Sequence, residues 1–265
     1  AAQSPLGHNL DISRRVRNSV AMREYNVGYG EAEGGTVWPF YLVADVSDSM
    51  RTAPSSPTPF DALMSGADDL FKFIRNDVQV QDQARVCVIA FAGEPTVMME
   101  MQDISAGYVL REWPEGGWTN YAGVLTLLDQ LIERHIVELE SKYDKVSRPT
   151  VFFITDGEPG NRTEGTQPYS TWGPPLERIK SRVVTKGHKQ PYHVAIISFG
   201  FEQATARTLK LIARDPGIAL IAEAGAANPG TLMQSIIGSL IQSIAQSIGT
   251  GHLTMLVPKY MREVP

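Results

Sequence analysis

Phe40-Tyr41-Leu42-Val43-Ala44, running straight into Asp45-Val46-Ser47-Asp48-Ser49, is the stretch whose reading decides the fold. An unbroken apolar run of this length matches a strand buried on both faces, as in a parallel sheet covered by helices. Acids and hydroxyls follow it at once. In a doubly wound sheet the ligand sits beyond the carboxyl ends of the strands, so polar residues placed there are the first candidates for function.

Outward from this run, apolar strands and helical patterns alternate. Thr58-Pro59-Phe60-Asp61 reads as a helix start, with Thr58 as N-cap, Pro59 at the first helical position and Asp61 completing a capping box. Phe60, Leu63, Met64, Ala67, Leu70, Phe71 and Ile74 then mark one helical face. Val86 to Phe91 is a second strand, and a short loop with Gly93 and Pro95 leads to a third around Val97 to Met101. So short a link only closes a hairpin, so that pair is expected to be antiparallel. A long helix begins near Thr119 and buries Val124, Leu125, Leu128, Leu131, Ile132 and Leu139. After it come a strand at Val151 to Ile154, a helix near Leu176 to Val184, and a strand at Val194 to Phe199. A helix from about Gln203 to Ala213, a strand at Ile218 to Ile221 and a Ser/Gln-rich helix close the unit.

The expected architecture is α/β: a doubly wound, mostly parallel six-stranded sheet with one antiparallel edge strand and helices on both faces, in one domain over residues 36–250. Residues 1–35 read as an N-terminal extension and residues 251–265 as a C-terminal tail. Within the tail, His252 to Val257 is apolar enough for an extra strand, docked on this chain or on a neighbour. The second arrangement makes the protein a homodimer.

With 265 residues, 43% of them hydrophobic, and a net charge of −5, the composition is that of a globular domain, not of a basic nucleic-acid binder. Met233 to Ile248 is interrupted by Gln234, Ser235, Ser239, Gln242, Ser243, Gln246 and Ser247. Its apolar residues recur at helical spacing, which describes an amphipathic helix and not a membrane span. The single cysteine, Cys87, lies inside the apolar run Val86 to Phe91, so it reads as a buried, inert thiol. That fits a reducing compartment, and a cytoplasmic location is expected, with secretion left open because the chain begins at Ala1.

Two polar loops stand at strand ends and a third opens a helix. They are Asp45 to Ser49, then Gly116-Gly117-Trp118-Thr119-Asn120 at the start of the second long helix, then Thr155-Asp156-Gly157. Together they supply carboxylates and hydroxyls, a hard oxygen set for Mg²⁺, Mn²⁺ or Ca²⁺ with too little nitrogen or sulfur for zinc. Residues two apart in an extended turn point the same way, so Asp45, Ser47 and Ser49 can face one ion. Hydroxyls neutralise no charge, so such an ion stays electron-poor, with a position that an incoming carboxylate fills well.

These residues resemble the von Willebrand factor A domain family, whose metal-ion-dependent adhesion site combines an Asp-x-Ser-x-Ser loop, a Thr in a second loop and an Asp in a third. Here those are Asp45, Ser47 and Ser49, then Thr119, then Asp156. The resemblance implies that the hydroxyls of Ser47, Ser49 and Thr119 bind the metal directly while Asp45 and Asp156 act partly through water. It also implies Mg²⁺ as the usual ion, a partner protein that supplies an Asp or Glu carboxylate, and no catalysis. The size and lone cysteine are similar to bacterial intracellular members, including those associated with tellurium resistance and stress response, which the family links to kinase and phosphatase partners. Adaptors for AAA+ ATPases and secreted adhesins are the other branches.

Rival chemistry is thinly supported. A haloacid-dehalogenase-type phosphatase needs an Asp two residues after the first, where Ser47 stands. No Gly-x-Ser-x-Gly elbow and no Gly-Lys-Ser/Thr loop occurs. A metal-dependent hydrolase built on the same oxygens remains the runner-up, though it needs a general base that the sequence does not point out. For partner contact the candidates are Asp48, often glycine in the family, and Arg162, Tyr169 and Trp172 in the long segment Glu158 to Trp172.

Overall fold

The opening run forms β1, Thr36–Asp45, at the middle of the sheet. The computed structural model describes residues 24–26, 35–105, 107–161, 163, 165–214, 216–225 and 227–265. Along β1 the side chains alternate between two cores: Phe40, Leu42 and Ala44 enter one, Tyr41 and Val43 the other. Helices cover both faces, so both sets are apolar and the run reads as continuous.

The remaining strands are β2 (Ala84–Phe91), β3 (Pro95–Gln102), β4 (Thr150–Thr155), β5 (Ala195–Gly200), β6 (Ala219–Ala222) and β7 (Met261–Glu263). Their order is β7-β6-β5-β4-β1-β2-β3. All the expected strands are present, with β6, β5, β4, β1 and β2 parallel and β3 antiparallel at one edge. Two short strands were not expected. β7 runs antiparallel to β6 at the other edge, and Lys145–Val146 pairs with the start of β1. Among the described residues the sheet thus has eight strands.

Seven helices are described: α1 (Asp48–Thr52), α2 (Pro59–Asn76), α3 (Val78–Gln83), α4 (Tyr121–Lys142), α5 (Tyr169–Ser181), α6 (Ala206–Ile212) and α7 (Pro229–Thr250). The capping box of Thr58 and Asp61 is formed, with Pro59 in the first turn of α2. α2 and α7 pack together on one face of the sheet, and α4 and α5 on the other. α5 starts well before Leu176. Pro174 and Pro175 lie inside it, and the carbonyls they leave without a helical partner belong to Ser170 and Thr171, exposed residues of the first turn that are open to solvent.

α7 ends at Gly251 in a left-handed conformation, and the chain turns back along it. The Ser247 hydroxyl accepts the Thr254 N–H at 2.9 Å and the Ser243 hydroxyl accepts the Leu256 N–H at 3.0 Å. Thr254–Leu256 also pairs antiparallel with Glu24–Asn26 of the same chain. Of the two arrangements expected for the tail, docking on its own chain is the one observed. Apart from residues 24–26 and 35, the N-terminal extension lies outside the described residues. Cys87 is free and buried, and burial pushes its thiol pKa up. No described helix is long and apolar enough to cross a membrane.

The order around β1 places the site. From β1 the chain crosses through α2 to β2 on one side, then through α4 to β4 on the other. Connections that diverge from neighbouring strands leave a crevice between the carboxyl ends of β1 and β4, the usual ligand position in such sheets.

Candidate metal centre

Asp45 is the last residue of β1 and is fully buried. Its Oδ1 accepts the Ser47 N–H at 2.9 Å, and its Oδ2 accepts the Thr155 hydroxyl at 2.7 Å. Ser47 stands at the N-cap of α1 but makes no side-chain cap bond. Its hydroxyl lies instead 3.1 Å from that of Ser49, which donates to Asp156 Oδ1 at 2.9 Å. An unbroken chain of polar contacts therefore runs from Asp45 through both serines to Asp156.

The second loop is held against the first. Gly117 adopts φ 141°, open to glycine and strained for other residues, and this turns its carbonyl to the Asp48 N–H at 3.1 Å. A Cβ on Gly116 would collide with the Asp48 carboxylate and come within 3.4 Å of Arg51 Cδ, so glycine here permits close approach of the two loops. Asn120 caps α4 by accepting the Gly123 N–H at 3.0 Å. Thr119, just before it, is buried, and a Cβ on Gly157 would lie 3.3 Å from its Oγ1. The Thr119 hydroxyl thus faces the turn that carries Asp156. The Gly160 N–H bonds Thr119 O at 2.9 Å, and the Tyr121 hydroxyl donates to Gly157 O at 3.0 Å, tying the second loop to the third.

The electrostatics are unbalanced. Burial raises the pKa of Asp45, against the hydrogen bonds from Ser47 and Thr155. Burial first and the Asp45 charge second push Asp156 up to about 7, with the Ser49 hydroxyl opposing. Among the described residues no Lys, Arg or His pairs with either carboxylate. Two buried like charges without a counter-ion are unfavourable unless one is protonated or a cation enters. Among the described residues there is also no cluster of three or more His, Cys, Asp or Glu, so any ion here relies on hydroxyls as well as on the two carboxylates. That donor set, hard oxygens with uncompensated charge, suits Mg²⁺, Mn²⁺ or Ca²⁺.

The residues expected at the partner surface divide. Asp48 is exposed at the rim, against Gly116. Tyr169 is 42% exposed, with its hydroxyl donating to Glu177 at 3.1 Å. Trp172 is only 3% exposed, packed edge-on against Tyr121 at 5.7 Å and donating its Nε1–H to Gln167 O at 3.2 Å. This corrects its placement at the surface: the early start of α5 turns the indole inward, beneath the site. Arg162 lies outside the described residues. Sequence reading missed Thr155, Tyr121 and Arg51. Thr155, at a strand end directly before Asp156, had a local signal; the other two tie to Pro114 and Gly157, which lie far from them in sequence.

A doubly wound α/β domain with an oxygen-lined site at its switch point is the class that fold and geometry define. Residues 40–158 match the family model of the von Willebrand factor type A domain. Among solved structures it is similar to a von Willebrand factor type A protein from Catenulispora acidiphila, at TM-score 0.50 and 12% identity, over 85% of this chain and 50% of that one. It is likewise similar to the pilus adhesin SpaC from Lactobacillus rhamnosus GG, at TM-score 0.51 and 12% identity, over 86% of this chain and 34% of that one. Proximal thread matrix protein 1 from the mussel byssus, solved with zinc in its adhesion-site motif, matches at TM-score 0.45 and 13% identity, over 90% of this chain and 50% of that one. The chain spans half the length or less of these proteins. No curated protein matches it.

Proposed function

We propose that this domain is a non-catalytic interaction module. It holds a divalent cation, Mg²⁺ first, on the hydroxyls of Ser47, Ser49 and Thr119, with Asp45 and Asp156 acting partly through water. An Asp or Glu carboxylate of a partner protein takes the remaining position. The observation that carries this reading is the buried Asp45/Asp156 pair, linked through two serine hydroxyls and lacking any basic partner among the described residues. Asp48 and Tyr169 are the exposed residues offered for contact with that partner, and Arg162 is kept as a third.

A hydrolase or phosphatase using the same oxygens would need a general base beside the ion. The three loops contain no histidine. For setting, the reading adopted is a bacterial cytoplasmic protein of stress response or signalling, similar to the tellurium-resistance-associated branch, with an AAA+ adaptor as the alternative. Titration of Mg²⁺, Mn²⁺ and Ca²⁺ into metal-free wild type and into Asp45→Ala, followed by calorimetry, tests the metal half. Saturable binding lost in the variant supports the reading; no binding of any of the three ions to wild type overturns it.

A further inference from the structure

Arg51 stands on the last turn of α1, beside the site loops but outside the oxygen set. Its Nε–H donates to Val46 O at 3.3 Å, between Asp45 and Ser47. Its Nη2 donates to Pro114 O, in the segment that leads to Gly116, Gly117 and Thr119. The guanidinium carbon lies 3.6 Å over the centre of the Phe60 ring, which fixes the plane of the group from α2. Trp113 meets the same ring edge-on at 5.9 Å. The planar fork of arginine suits two carbonyls at a fixed separation, and lysine cannot copy it. Asp48 N–H to Gly117 O is the one other hydrogen bond found between α1 and this segment among the described residues, so Arg51 supplies one of the two bonds that align them, and the one made by a side chain.

We propose that Arg51 is a positioning residue for the cation: it staples the loop carrying Ser47 and Ser49 to the loop carrying Thr119, so that hydroxyls from both face one ion. This rests on the metal reading above. The sign of the effect separates positioning from plain electrostatics. A positive charge beside a cation site repels the ion, so if Arg51 were passive its removal would strengthen binding. If it positions the loops, removal weakens binding despite the lost repulsion.

The test is a Mg²⁺ titration by calorimetry of metal-free wild type, Arg51→Met and Arg51→Lys, with thermal unfolding of each metal-free form. Removing a residue that orients metal ligands typically costs tenfold or more in affinity, so Arg51→Met is expected to bind about tenfold more weakly than wild type. Arg51→Lys, which keeps the charge and reaches one carbonyl, is expected in between. Metal-free melting temperatures near that of wild type exclude a general loss of fold. If Arg51→Met does not fold, Arg51→Lys alone decides, by binding more weakly than wild type or not. Equal or tighter Mg²⁺ binding by the folded variants overturns the proposal and leaves the metal site standing. Absence of binding to wild type overturns the metal reading itself and the proposal with it.

Discussion

Two places in this domain bury aspartate, and they treat it in opposite ways. On the face of α4, Asp129 is 4% exposed and takes Arg178 Nε at 2.6 Å and Arg182 Nη2 at 3.0 Å, with Arg182 held in turn by Glu133. At the crevice, Asp45 and Asp156 are buried as deeply and receive only hydroxyl and backbone N–H groups from the described residues. The first arrangement is complete in itself and clamps α5 to α4. The second is short of positive charge. A buried acid matched by arginines is structure; a buried pair matched by none is what the proposed cation site would exploit.

The largest effect should come from breaking the unmatched pair. Asp45→Ala is expected to lower Mg²⁺ affinity by about a hundredfold or more, at the upper end of effects on metal-site residues, and to abolish the rise in melting temperature with added Mg²⁺. Next comes the contrast in stability without metal. Asp129→Asn should destabilise the fold by about 2 kcal/mol, between values for buried and surface pairs because Arg178 is half exposed. Asp156→Asn should instead stabilise the metal-free protein, since it removes like-charge repulsion. Denaturant unfolding of both variants checks the opposite signs, and destabilisation by both would erase the distinction.

A smaller effect is expected at Thr155→Val, which removes the hydroxyl donated to Asp45 Oδ2. Mg²⁺ affinity should fall about tenfold, with a modest change in melting temperature. The pH dependence is the gentlest test. Asp156 is raised from 3.8 to about 7 in the fold, so its contribution to metal-free stability is full below the unfolded value and lost as pH rises through 7. Melting temperature measured from pH 4 to 8 should decline without metal and flatten with saturating Mg²⁺. A metal-free curve that instead rises over this range would place the dominant titration elsewhere.

The sheet was legible because its parallel strands are covered on both faces, so each appears as a bare apolar run such as Val151 to Ile154. β7 was not, since Arg262 and Glu263 are exposed at an edge and only Met261 is buried. The start of α5 was placed near Leu176 instead of Tyr169, and what lets the helix run through Pro174 and Pro175 is the solvent exposure of its first turn, which the residues alone do not show. In the site, Asp45, Ser47, Ser49, Thr119 and Asp156 could be picked out because each stands where an element ends or begins. Their support could not be: the Arg51 guanidinium on Pro114 O and the Tyr121 hydroxyl on Gly157 O join residues far apart in sequence. Trp172 shows the converse error, where an aromatic in an apparent loop belonged to a helix and to the core.

The most direct measurement is the number of protons released when Mg²⁺ binds, from calorimetric titrations in two buffers of different ionisation enthalpy, at pH 6 and pH 8.5. With Asp156 raised to about 7, its carboxyl in the metal-free form is mostly protonated at pH 6 and mostly ionised at pH 8.5. A cation entering between Asp45 and Asp156 should therefore expel more protons at pH 6 than at pH 8.5, the difference being the Asp156 proton. Saturable binding with no proton released at pH 6 would contradict the claim, because the ion would then sit away from the unmatched pair.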